Sequence, residues 1–482
     1  MSITQSLNFA LTGLNASSRM AEITSANIAN AMTDGYGRRV LDLSADVIGL
    51  QGAGVRIVGV TRIVDQGLIG ERRLSDAILA GQNREATMMG RVEAAVGQPD
   101  DPFGLAARLN AFESALINAG GDPASEQRLS LALTRLGDVT RVLKSGADDV
   151  QLMRQEADAA IARDVERLNI ALAQVERFNT DIGRSRALGQ DPSGLIDQRQ
   201  RAIDTIAEIV PVREVARENG RAALFTPSGE VLIDGPAAVY AFQRVSTITA
   251  DMTLASGGLF GITRDGQPMS PIDGVGKLAG GSLGASFKLR DDTLVAAQRG
   301  LDEIAADLIT RFSDPAVDPS LAPGNPGLLT DGGAAYDPLL IDGLANRLDV
   351  NAAVDPARGG LLSRWRDGVD AAAVGPVGSA DQINRWVDAL SSPRTIDPSI
   401  PALSASGQVA RVTSDIATAR LLSEEAQSFA SVRRDMLYQA ELASGVDTDL
   451  ELQNLLRVEQ AYAANAKVIQ TASAMIQSLL EI

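Results

Sequence analysis

The sequence predicts a mainly α protein with an inserted β module, its two ends pairing as a coiled coil around a domain of long helices. Three observations lead there. Apolar residues recur every seven positions at both ends, helical periodicity fills most of residues 66–210, and short apolar runs between turn signals occupy residues 211–285. At 482 residues the chain has room for about three domains. With 45% hydrophobic but only 4% aromatic residues, it suits close helix packing more than an aromatic-lined pocket.

At the N-terminal end Leu7, Leu14, Ala21 and Ile28 form one column, with Ile3 and Ala10 beside it and Leu11 on its flank. At the C-terminal end Leu455, Tyr462, Ile469 and Ile476 repeat at the same interval, and Val458, Ala472 and Leu479 stand three residues further on. Columns of this period are seams of coiled-coil type. Charge is nearly absent beside them: Lys467 alone lies between Gln460 and Leu480, and only Arg19 and Glu22 between Ser2 and Thr33. A helix on the surface of a globule carries a charged outer face. These helices instead carry Ala, Ser, Thr, Asn and Gln, so they are buried in a large domain or against copies of themselves. They are expected to be loose in the monomer and to order on packing against neighbours.

Between the ends, residues 49–70 are glycine-rich around Val55, Ile57 and Val60 and read as a short hairpin. Helices are expected at about 68–95, 102–119, 124–147 and 150–186. After the break Asp191-Pro192-Ser193-Gly194 another follows at 195–209. Strands are expected among residues 211–286, including 231–233, 239–242 and 252–254. Helix returns at 289–312, residues 313–380 read as loops, and a short helix at 380–390 leads through a linker, 391–406, into a helix at about 408–444. Gly445 ends that helix, Asp447 caps the next, and Asp449 and Glu451 place negative charge in its first turn. The expected division is residues 1–65 with 441–482 as an assembly domain, 66–210 with 286–440 as a discontinuous helical domain, and 211–285 as a β insert.

Composition removes whole classes of function. The chain has no Cys and no His, which excludes His–Cys zinc sites, thiol nucleophiles and every triad with an imidazole base. Net charge is −17 and the only lysines are Lys144, Lys277, Lys288 and Lys467, a poor match for nucleic acid or an anionic membrane. Neither a Sec signal nor a membrane span is expected, for want of a basic stretch before an apolar core and of any run of about 18 apolar residues.

The motifs that survive are weak. Gly280-Gly281-Ser282-Leu283-Gly284 fits the nucleophile elbow, yet no His exists to activate the serine. Gly274-Val275-Gly276-Lys277 lacks the first glycine and the hydroxyl of a phosphate loop. Asp447-Thr448-Asp449 opens like a calcium loop but has Leu452 and Val458 where Gly and Glu are required. Acidic pairs such as Asp148/Asp149 and Asp291/Asp292 read as solvated surface. No catalytic residue, cofactor or metal ligand is assigned. Asn27 and Asn30, one helical turn apart and followed by Gly35-Tyr36, are candidates for bonds across a helix–helix contact or for capping the turn.

Thr12-Gly13-Leu14-Asn15, then Ala26-Asn27-Ile28-Ala29-Asn30 and Gly35-Tyr36, then the glycine-rich stretch with Arg62, resemble the N-terminal part of flagellar rod, hook and hook-associated proteins. Ser444-Gly445-Val446-Asp447, Glu451-Leu452 and Glu459-Gln460-Ala461-Tyr462 through Ile469-Gln470-Thr471-Ala472 are similar to the matching C-terminal part. The long helices of residues 102–210, with Asp122-Pro123-Ala124 and Gly194-Leu195-Ile196-Asp197-Gln198-Arg199, point to a hook-associated member. A hook or distal-rod protein, which would be mainly β there, is the alternative. The resemblance implies an innermost coiled-coil layer made of the two ends, and export by the flagellar type III apparatus with a cytosolic chaperone guarding the C-terminal helix. Outside the cell it implies a homo-oligomeric ring between hook and filament, in contact with the hook protein and a second junction protein. The residues expected to carry assembly are Leu7, Leu14, Asn27, Ile28, Asn30, Leu455, Tyr462, Ile469, Ile476 and Leu479, and Ile469→Asp is expected to abolish the ring while the central domains stay folded. A secreted enzyme using the same export route would instead need a convergent polar site in residues 211–400, where the sequence offers none.

Overall fold

A computed structural model describes residues 3–48, 51–98, 101–395 and 401–480. Helix α1 (Ile3–Ala29) leads into a long antiparallel hairpin, β1 (Arg38–Ile48) and β2 (Gln51–Ile63), followed by α2 (Gln66–Val96), α3 (Leu105–Gly121), α4 (Glu126–Ala187) and α5 (Ser193–Ile209). The insert has two three-stranded antiparallel sheets. One is β3 (Arg213–Ala216), β4 (Ala222–Phe225) and β5 (Val231–Ile233); the other is β6 (Tyr240–Phe242), β7 (Ile262–Arg264) and β8 (Gln267–Pro268). Helices α6 (Gly281–Lys288) and α7 (Leu294–Phe312) follow, joined by a π-helical turn. The chain then passes through β9 (Leu329–Asp331), α8 (Leu344–Arg347), β10 (Leu348–Val350), α9 (Arg364–Asp367) and α10 (Asp381–Ser391). It closes with α11 (Ala405–Ser444) and α12 (Thr448–Leu480). The expected class, mainly α with paired terminal helices and small sheets in the middle, is the observed one. Part of the expected linker, residues 396–400, lies outside the described residues.

Helix α4 replaces the two helices expected at 124–147 and 150–186. It is 62 residues long, roughly 90 Å at 1.5 Å per residue. Ser125 caps its first turn by accepting from the Arg128 amide, and Arg184 and Arg186 complement the dipole at its end. Gly146 lies at a close crossing: a Cβ there would stand 3.3 Å from the Ala95 carbonyl oxygen of α2. Asp148 and Asp149, which fall between the two expected helices, are exposed, and Asp148 accepts from Asn346 Nδ2 at 2.8 Å.

One long helix therefore serves two cores. Its first half packs with α2, α3, α7, α10 and α11 around Phe112, Phe312, Trp365 and Trp386, whose rings meet edge to face. Its second half packs with α5, α6 and the β insert through Leu168, Leu172, Ile203, Leu224 and Phe287. Residues 252–254, expected as a strand, form a turn because Arg154 Nη2 donates to the Met252 carbonyl at 2.7 Å and Ser256 Oγ to Thr253 O at 3.1 Å. The β7–β8 hairpin turns on Asp265 and Gly266, both at positive φ, as a type I′ turn requires. Helix α6 starts inside the expected β region. Gly281, at φ +60°, lies so close to the Ile209 carbonyl that a Cβ would collide with it.

The serine of the elbow-like motif is thus a helical residue. Ser282 Oγ donates to Asp164 Oδ2 at 2.8 Å, and that carboxylate also pairs with Arg84 at 2.7 Å, which makes it a packing contact between α6, α4 and α2.

Candidate assembly site

Helices α1 and α12 pack along each other, and the β1–β2 hairpin lies against α1. In α1 the column facing inward is Ala10, Ser17 and Thr24, with Ala16, Ile23 and Asn27 beside it. In α12 it is Glu451, Val458 and Ala472, with half-buried Asn465 completing the seven-residue series. The pair therefore closes on its small residues. Gly13 makes the approach possible, since a Cβ there would stand 2.8 Å from Asn465 Nδ2. Val55 N donates to Thr12 Oγ1 at 3.3 Å and ties the hairpin to the same turn of α1. Gly13→Val is expected to prise the pair apart at a cost of about 1–3 kcal/mol, the usual range for overpacking. Faster tryptic cleavage at Arg19 and Lys467, with the helical core unchanged, is the expected readout.

The larger apolar column is left over. Leu455 and Ile469 are half-buried, while Tyr462 is 45% and Ile476 39% exposed; Leu479, which continues the Val458–Ala472 series at the end of α12, is 63% exposed. Leu7, Leu14 and Ile28 on α1 are half-buried at the edge of the seam. Full burial of one such side chain stabilises by about 1.5–3 kcal/mol, so the uncovered face is a large reserve of association energy. Two of the expected interface residues act inside the subunit instead. Asn27, 1% exposed, accepts from Arg39 N at 3.0 Å and Tyr36 Oη at 2.8 Å, and donates to Arg39 O at 2.9 Å. Asn30 Nδ2 donates to Ala26 O at 2.8 Å and so caps its own helix end. Asn27 thus pins the Gly35-Tyr36 turn to α1 rather than reaching a neighbouring helix.

Below the pair is a cluster of charges that joins it to the helical unit. Asp197 on α5, only 10% exposed at its side chain, receives Arg39 Nη2 at 2.6 Å, Arg62 Nε at 2.8 Å and the Gly37 amide at 3.3 Å. Arg38 Nε meets Glu451 Oε1, at the start of α12, at 2.7 Å. On α2, Arg72 bridges Asp76, Asp204 and Glu441, and Arg73 bridges Asp204 and Glu214. Burial works against the Arg72 charge, but Asp204, Glu441 and Asp76 outweigh it and hold its pKa above the ordinary value. Burial also raises the Tyr36 phenol against the pull of Arg39, whose guanidinium lies 4.9 Å from the ring centre. Tyr438 Oη donates to Asp34 at 2.9 Å, and that bond pushes its pKa up. Sequence reasoning named Arg62, Glu451 and the Asp197-Gln198-Arg199 triplet separately but did not connect them. Asp197 and its partners are 135 to 160 positions apart.

Among the described residues no group of His, Cys, Asp or Glu side chains is placed to hold a metal ion, and no helix is long and apolar enough to cross a membrane. Fold and site together define a structural subunit of axial type, its two ends paired beside a helical unit and an apolar column turned outward. The family comparisons agree. Residues 89–316 match the flagellar hook-associated protein FlgK helical domain, residues 7–36 the flagella basal body rod protein family, and residues 439–482 the C-terminal family of flagellar basal body rod FlgEFG proteins.

Flagellar hook-associated protein 1 of Bacillus subtilis is 26% identical over 240 residues, 47% of each chain. The proteins of that name from Salmonella typhimurium and Escherichia coli are each 23% identical, over 99% of both chains. A solved structure of the flagellar hook junction protein FlgK from Burkholderia pseudomallei aligns with a TM-score of 0.45 and 21% identity, over 56% of this chain and 47% of that one. Over nearly its whole length the chain is similar to proteins named flagellar hook-associated protein 1, and its residues 89–316 to the FlgK helical domain.

Proposed function

We propose that this chain is a structural subunit of the bacterial flagellum that forms the junction between hook and filament, copies joining through the outward columns of their terminal helices. One observation carries the assembly reading. The terminal pair spends its small residues on itself and leaves Tyr462, Ile476 and Leu479 uncovered on a stretch, residues 460–480, whose only charge is Lys467. Such a face gains by meeting its like. The relatives' shared name supports the place in the flagellum. The terminal segments, residues 1–65 and 441–482, are the assembly domain. The helical domain, 66–210 with 286–440, and the insert, 211–285, lie between them in the chain.

The partners in this reading are other copies in a ring, the hook protein, a second junction protein, and the export chaperone and apparatus that take the chain out of the cell. No catalysis is part of it. Helices at Leu105–Gly121, Glu126–Ala187 and Ser193–Ile209 favour this reading over a hook or distal-rod protein. Electron microscopy of a strain lacking the gene tests it: intact hooks with filaments shed into the medium are expected. Full-length attached filaments in that strain would overturn the reading.

A further inference from the structure

We infer that Asp197 is the lock that fixes the direction of the terminal pair relative to the helical unit, a positioning residue for assembly rather than part of either fold. Arg39 on β1 and Arg62 on β2 are directly paired across the hairpin. Like charges opposite one another on neighbouring strands repel, so this pair weakens the hairpin unless an anion from elsewhere neutralises it. Asp197 is that anion. It comes from α5, more than 130 residues away, and takes one guanidinium on each oxygen, with the Gly37 amide sharing Oδ1. Contacts to both strands from one nearly buried carboxylate fix rotation as well as distance, because charge-assisted bonds are short and directional.

The surrounding seam is polar. Arg38 with Glu451 braces the hairpin against α12 within the terminal unit, and Arg72 with Glu441 ties α2 to the end of α11, just before α12. Orientation between the two units is thus set by paired charges, not by a greasy contact that could slide. In the junction, a reading on which only this consequence rests, the lock would pass the tilt of the assembled ends to the outer domains.

The chain has no native cysteine, so spin labels can be placed at Gln174→Cys on α4 and Gln460→Cys on α12, both exposed positions. Because α1 and α12 already pack on each other within one chain, against the sequence-based expectation of loose ends, the distance between the labels in the unassembled full chain is expected to be narrowly distributed. Asp197→Asn should broaden it about twofold or more, with helix content unchanged. If Asp197→Asn loses helix content, the same distance is read in Arg62→Gln, which removes one arm of the lock. A folded variant as narrow as its parent, a parent that is already broad, or loss of helix in both variants overturns the inference. None of these readings requires polymer, so failure of the lock is separable from failure of the assembly reading.

Discussion

Ile476→Asp yields a folded, helical chain that no longer assembles. Ile476 is 39% exposed near the end of α12, so the substitution falls on side-chain surface that the subunit itself leaves uncovered. At an interface between copies it removes about 1.5–3 kcal/mol of apolar burial. It also asks a carboxylate to lose its water without a partner, since the nearest cation in sequence is Lys467, nine positions away. Together these exceed about 4 kcal/mol, a thousandfold or more in association at each contact. Sedimentation velocity should show monomer at concentrations where the parent forms higher species, while circular dichroism stays the same. Ile476 makes a cleaner probe than Ile469, which is half-buried against the pair and would disturb both seams at once. An Ile476→Asp chain that polymerised like its parent would move the interface to another face.

The terminal seams show how far the sequence could be read. Seven-residue spacing and missing charge are local properties, so the existence of both helices and of an apolar column on each was legible. Which column each helix turns inward was not. Period alone favoured the bulky residues, whereas close approach across Gly13 favoured Ala10, Ser17 and Ala472, because small side chains let the helix backbones come near. For Asn27 the sequence left a helix–helix bond and a cap on the turn both open, because an amide at a helix end has many partners within reach; the backbone of Arg39 takes it in the fold. The expected helices left a gap at residues 148–149, but two exposed aspartates weaken a helix by only about 1 kcal/mol between them, and two cores pack along this one. The Asp265-Gly266 turn carried a readable hairpin signal that was passed over. The charge cluster around Asp197 had no sequence signature at all, because its members come from four separate stretches of chain.

Arg290→Ala should destabilise the helical unit by about 3–5 kcal/mol, the largest effect expected of any single charge here. Arg290 sits on the π-helical turn between α6 and α7, with no exposed side-chain surface. Its Nη1 meets Asp158 Oδ1 at 2.7 Å, and that carboxylate is equally buried. Its Nε meets Asp291 at 2.8 Å, and its guanidinium lies 4.9 Å from the ring centre of Phe287 and 5.7 Å from that of Phe242. Removing the cation strands the Asp158 charge, whose remaining contact is the Val245 amide at 2.9 Å. The loss is therefore mainly the cost of an unpaired buried anion, and it should shrink when the anion goes too. Arg290→Met combined with Asp158→Asn, which keeps an acceptor for Val245, is expected to recover more than half of it. Fully buried Trp365 and Trp386 report on this unit alone, so urea unfolding followed by their fluorescence separates it from the terminal pair. If the single variant unfolded at the parent's urea midpoint, the contact would be a passive one, and the insert would be held to α4 by Arg154 and packing instead.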